Sequence, residues 1–123
     1  VVIQGILFVG IGREIPSPIA DIIIDGVEKK SLMNIVDKKS VLVTHFPPFK
    51  IQDKIFIGNH GGSKDLRTLV DICKPRLVLC GHIHEDPGVT KLGNTTVVNC
   101  ILGNRTEGAI VEINDNTKVT ILD

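Results

Sequence analysis

The sequence predicts an α/β fold in which a parallel βαβ unit is followed by an antiparallel meander. Three observations carry this. Two short apolar runs, Val41-Leu42-Val43-Thr44 and Leu77-Val78-Leu79-Cys80, bracket a segment with clear helix start and stop signals. Parallel strands need such a crossover, and strands covered on both faces read as unbroken apolar runs. Downstream the character changes to short strand-like runs separated by Gly-Asn and Asn-Asp-Asn turns.

Taken in order, the first ten residues form a β-type run interrupted or bent at Gly5. Gly10, Gly12, Pro16 and Pro18 then punctuate a loop. From about Ile19 to Lys38, the positions Ile23, Val27, Leu32, Ile35 and Val36 fit helical spacing, and Lys38 and Lys39 suit the negative pole of that helix. The strand Val41–Thr44 is stopped by His45-Phe46-Pro47-Pro48-Phe49, because the two prolines cannot donate ladder hydrogen bonds. Gly61-Gly62-Ser63 leads into a helix over about 64–73, with Ser63 as N-cap, Asp65 at the positive end and Pro75 past the stop. Leu77–Cys80 is the next strand, and Thr95–Ile101, Ala109–Ile113 and Lys118–Leu122 make the meander.

Composition narrows the function classes. The chain has 123 residues, 42% hydrophobic and 23% charged, which suits one modest domain with one core. Lys+Arg and Asp+Glu both number 14, so no net field draws the protein to nucleic acid or an anionic membrane. No apolar run approaches the roughly 20 residues needed to span a bilayer. Trp and Tyr are absent, which argues against stacking platforms for single strands. Cys73, Cys80 and Cys100 lack metal-type spacing and read as reduced core thiols. With no signal peptide in view, a cytoplasmic location is expected. The chain starts with Val inside a strand-like run, so 1–123 is expected to be a single partial domain with more of it upstream. An open sheet edge at Val1–Val9 is expected to pair with a copy of itself or aggregate.

The chain has four histidines, His45, His60, His82 and His84. His45 ends the first buried strand, and His82 follows the second directly after Gly81. In open α/β sheets, ligands gather beyond the carboxyl ends of the strands, so the crossover delivers His45, His82 and His84 to one edge. Neutral imidazole is the commonest protein metal ligand. The i, i+2 spacing of His82 and His84 puts both rings on one face of a strand, or lets them diverge toward two adjacent metal positions in a turn. Gly81 is expected to allow an unusual backbone angle there.

These motifs carry a resemblance. Thr44-His45-Phe46-Pro47-Pro48 followed by Gly81-His82-Ile83-His84-Glu85 resembles the C-terminal portion of the calcineurin-like metallophosphoesterase family. The similarity is strongest over residues 41–86. It implies a β-sandwich flanked by helices with two divalent ions at one end (Mn, Fe, Zn or similar). It also implies His45 and His82 on one ion and His84 on the other, and hydrolysis of a phosphate mono- or diester, in a small molecule or nucleotide. Two ions about 3.5–4 Å apart lower the pKa of bound water and neutralise charge on attacking and leaving oxygens. Imidazole ligands do not select among such metals.

The family's first-half motifs are absent ahead of His45, and no Asp-x-His occurs in the chain. The bridging carboxylate is therefore missing, and the chain alone is expected to be poorly active, with no catalytic residue of its own. Gly58-Asn59-His60 spells a family motif out of order and reads as a loop. His60 is nevertheless the candidate for substrate contact. Asp21, Asp25 and Asp53 are expected on solvated faces, and Glu85 and Asp86 as caps of the turn. Val98-Asn99-Cys100-Ile101-Leu102-Gly103 departs from the family pattern. Cys80 and Cys100 read as inert thiols, and Lys50, Arg67 and Arg105 as exposed cations. Two alternatives stay open: a non-catalytic scaffold of the same fold serving protein–protein interaction, and a single-metal site on which all three histidines converge.

Overall fold

The computed structural model describes residues 1–12, 26–101 and 108–122. The predicted loop positions Pro16 and Pro18, the helix position Ile23, and Asp21, Asp25 and Arg105 lie outside the described residues.

β1 (Val2–Ile3) and β2 (Ile6–Ile11) form a hairpin. Its two-residue corner, Gln4-Gly5, has positive φ at both positions, 50° and 78°. That is the turn whose twist matches right-handed strands, and glycine at the second place relieves it. The interruption expected at Gly5 is thus a reversal of direction. β1 is the sheet edge, with Val1, Val2 and Ile3 exposed.

α1 (Gly26–Ile35) ends before Lys38 and Lys39, which sit in the turn beyond it and not in its last turn. That turn is closed by Asp37, whose Oδ1 accepts from Lys39 N and from Ser40 Oγ. These bonds favour the ionised form and hold the Asp37 carboxyl below its ordinary range, against partial desolvation. Leu32, Met33 and Val36 face the core, whereas Ile35 is exposed, contrary to its place in the expected apolar face.

β3 (Val41–Thr44), α2 (Lys64–Cys73) and β4 (Leu77–Cys80) are the predicted crossover with the predicted bounds. Ser63 caps α2 by accepting from Leu66 N at 3.1 Å. Lys74 closes its end in the left-handed region, donating from its backbone N–H to Val70 O. β5 (Gly88–Leu92) and β6 (Thr95–Asn99) form one antiparallel hairpin, and β7 (Gly108–Ile113) and β8 (Thr117–Leu122) another. β6 also pairs parallel with β4, so the strand order is β1-β2-β3-β4-β6-β5, with β7-β8 as a separate two-stranded sheet.

Progress across β2, β3 and β4 in one direction puts both helices on one face if each crossover is right-handed. That face holds Leu42, Val78 and Val97 against Leu66, Leu69 and Val70 of α2. The other face holds Val41, Leu77 and Val98 against Ala109, Val111, Val119 and Ile121 of the second sheet. The apolar runs are continuous because helices cover one side and a hairpin the other.

Between β3 and α2 lies a long loop closed on itself. Pro47 O accepts from Ser63 N and Ser63 O donates no proton but accepts from Phe49 N, at 2.8 and 2.9 Å. Gly62 makes this approach possible, since a Cβ there would fall 2.6 Å from Pro48 O and 2.8 Å from Asp53 Oδ2.

Candidate functional site

β3 and β4 are adjacent and parallel, so their carboxyl ends finish side by side. Gly81 N donates to His45 O at 3.1 Å, tying the two exits together. The next bond, Ile83 N to Gly81 O at 2.8 Å, closes a three-residue turn centred on His82. His82 has φ 65°, so the unusual backbone angle falls on the histidine and not on Gly81, which has ordinary φ. A side-chain-bearing residue held there costs about 1–3 kcal/mol, repaid by surrounding contacts. Ile83 is buried in the core, and His82 and His84 on either side of it are exposed.

The turn aims His82 at His45. His45 Nε2 and His82 Nδ1 lie 3.0 Å apart, and the ring centroids 4.7 Å. Phe46 packs on both rings, 5.0 Å from His45 and 4.3 Å from His82. Desolvation first, then the neighbouring His45 and His84, push the His82 pKa below its ordinary value; Glu85 opposes this. The shift favours the neutral imidazole, which is the form that ligates metal.

Without a cation, one ring's N–H donates to the other's lone pair. The same spacing suits a shared ion: two nitrogens about 2.1 Å from one cation, at right angles to each other, are about 3.0 Å apart. The pair thus fits two neighbouring coordination positions of one ion. His84 is close enough to influence His82 electrostatically, but among the described residues no group of three or more His, Cys, Asp or Glu side chains converges as a metal site. The single-ion site on all three histidines is not formed.

His60 lies on the loop between β3 and α2. Its Nδ1 is 2.6 Å from Asp53 Oδ1, and its side chain is 30% exposed while that of Asp53 is 1% exposed. Asp53 was expected on a solvated face; instead it is the hub of the loop. Its Oδ2 accepts from Lys50 N at 2.8 Å and Gly62 N at 3.0 Å. Next to His60, Gly61 packs against Ile83, between His82 and His84. The loop and the histidine turn are thus in contact.

Asn99, at the end of β6 and 1% exposed, holds these loops together. Its Nδ2 donates to Ile83 O at 2.7 Å and Asp86 O at 3.0 Å, and approaches Gln52 O at 3.4 Å. Asp86 does act as a cap, but of the facing loop, accepting from Lys54 N at 3.0 Å. Neither Asp53 nor Asn99 stood out in the sequence as a positioning residue. The readable signal was an Asp three residues after Lys50 in a loop bracketed by Pro and Gly, a pattern that favours side-chain-to-backbone bonds.

Other candidates are structural. Arg67 is engaged by Asp71 at 3.0 Å and by Phe49 O at 3.1 Å, and the Lys50 ammonium lies 5.5 Å from the Phe49 ring. Cys80 is buried, donates to Val98 O at 3.3 Å, and has its thiol pKa pushed up by burial and then by Cys100. Such a thiol is unreactive.

Comparison with known proteins adds the decisive finding. The model of a metallophosphoesterase family of the calcineurin superfamily matches residues 27–121. The chain belongs to the calcineurin-superfamily metallophosphoesterases. A solved structure superposes with a TM-score of 0.71 at 16% identity, covering 100% of this chain and 52% of that one, which shows a shared fold. An uncharacterized protein of Methanocaldococcus jannaschii is 36% identical over 107 residues, 79% of this chain and 49% of that protein. A UPF0046 protein of Caenorhabditis elegans is 39% identical over 69 residues, 54% of this chain and 23% of that protein. The chain therefore spans about half, or less, of the length of these relatives. No helix among the described residues is long and apolar enough to cross a membrane.

Proposed function

We propose that this metallophosphoesterase chain carries the histidine side of a two-cation centre that hydrolyses phosphate mono- or diesters. The observation that carries the reading is the 3.0 Å approach of His45 Nε2 to His82 Nδ1, at the exits of two adjacent parallel strands. His45 and His82 hold one divalent ion, Mn, Fe, Zn or similar, and His84 faces the second. The remaining ligands, including a bridging carboxylate, come from outside the described residues. When bound, the ions supply Lewis-acid stabilisation of phosphoryl charge and an activated water.

The chain's own residues position and shield. Phe46 covers both rings and lowers the local dielectric. Asp53 accepts from His60 Nδ1, which leaves Nε2 open toward a phosphoryl oxygen of the substrate. Asn99 fixes the turn that bears His82 and His84. Among the described residues no third donor joins the pair, which favours a second reading, a non-catalytic scaffold of the same fold.

Hydrolysis of bis(p-nitrophenyl) phosphate with Mn²⁺, alongside metal analysis, separates the two. In the full-length protein, His45→Ala and His82→Ala are each expected to lower kcat/KM by about 100-fold or more, with loss of metal. The 123-residue chain alone is expected to turn over far below the roughly 1–10³ s⁻¹ of ordinary enzymes. Full-length protein that holds no metal and has no turnover establishes the scaffold instead.

A further inference from the structure

The end of the sheet opposite the histidines carries a cleft of about 640 Å³. It is lined by Lys38 and Lys39 from the turn before β3, Arg76 from the entry to β4, and Lys91 from β5. The β7–β8 turn closes it with Asp115, the sole carboxylate of the lining among the described residues. Among the described residues four cations and one carboxylate thus line the cleft, in a chain whose net charge is zero. Asp37 stands next to Lys39, but its carboxylate is already committed to Lys39 N and Ser40 Oγ.

Arg76 is held in place before any ligand arrives. Its Nε donates to Thr117 Oγ1 at 2.8 Å and its Nη2 to Asn114 O. Its backbone is fixed on both sides, by Arg76 N to Ser40 O and Thr96 N to Arg76 O, both at 3.0 Å. A guanidinium set in a fixed plane, in a cleft that three exposed lysines also line, suits a compact anion with several oxygens. No aromatic ring lines the cleft, so it offers nothing on which a nucleobase would stack.

We infer that this cleft is a second anion site, which takes a small multivalent phosphate such as pyrophosphate. Six residue steps of near-extended chain lead from Lys39 to His45, roughly 20 Å, so its occupant does not touch the histidine rim. The site is independent of the phosphoesterase reading.

Titration calorimetry of the EDTA-treated chain with sodium pyrophosphate at low salt tests this. Saturable one-to-one binding is expected. The exposed pair Lys39→Glu and Lys91→Glu is expected to weaken it by about 10-fold or more, with circular dichroism unchanged. The pair His45→Ala and His82→Ala is expected to leave it intact. The inference is overturned by absence of saturation up to about 10 mM, by equal affinity of the charge-reversed chain, or by loss of binding in the histidine pair. Tighter binding of a short duplex DNA than of pyrophosphate overturns the small-anion assignment.

Discussion

His82 concentrates the chemistry of this chain in one residue: a positive φ, a turn closed around it, and a ring nitrogen aimed at its neighbour. Little of that is written in the local sequence. The run Gly81-His82-Ile83-His84 advertises two imidazoles, but its composition points to the glycine as the place for an unusual backbone angle. The strain falls on His82 because Ile83 must turn inward to the core while the β4 exit stays bonded to His45 O. Asn99 supplies the restraint from outside the motif. Asn99→Leu removes the side-chain donor to the Ile83 carbonyl and leaves the Asp86 carbonyl with Gln52 Nε2 alone. Its expected cost is about 3 kcal/mol in urea unfolding, with divalent-ion affinity weakened about 10–100-fold. Unchanged stability and affinity would show that the turn holds itself.

At the scale of elements, α2 is the best-specified piece. Its start is written in Ser63 and Asp65, its stop in Pro75, and its core face in Leu66, Leu69 and Val70. Sequence and structure agree there because capping, propensity and burial all point the same way. Packing outweighs capping in magnitude. Leu69→Ala is expected to destabilise by about 3 kcal/mol and Ser63→Ala by about 1 kcal/mol, read from denaturant midpoints at constant slope. Equal costs would mean that α2 is held by its cap and not by its face. β5 shows the opposite case. Gly-Val-Thr-Lys-Leu begins with a glycine at φ 139° and is half-exposed at a sheet edge, so it gave no strand signal. The loop between β3 and α2 was legible as a loop, but its hub was not. Asp53 is buried by backbone N–H groups that only the closed loop brings together, and spacing alone does not reveal such partners.

For the whole molecule, two layers on either side of one sheet explain why the apolar runs were so readable. A strand covered by helices on one face and a hairpin on the other has no polar alternation to confuse it. The fold class and the location of a histidine rim at the strand exits followed from that. What did not follow was how few donors the rim assembles: two nitrogens meet, the third histidine stands off, and no carboxylate joins them among the described residues. The chain belongs to the calcineurin-superfamily metallophosphoesterases and spans about half the length of the Methanocaldococcus jannaschii relative. The most direct measurement is a crystal of the chain soaked in Mn²⁺ and recorded for anomalous scattering. A peak about 2.0–2.3 Å from both His45 Nε2 and His82 Nδ1 is expected. A filled map with manganese elsewhere, or with the two rings still hydrogen-bonded to each other at saturating metal, would contradict the claim that this pair holds a cation.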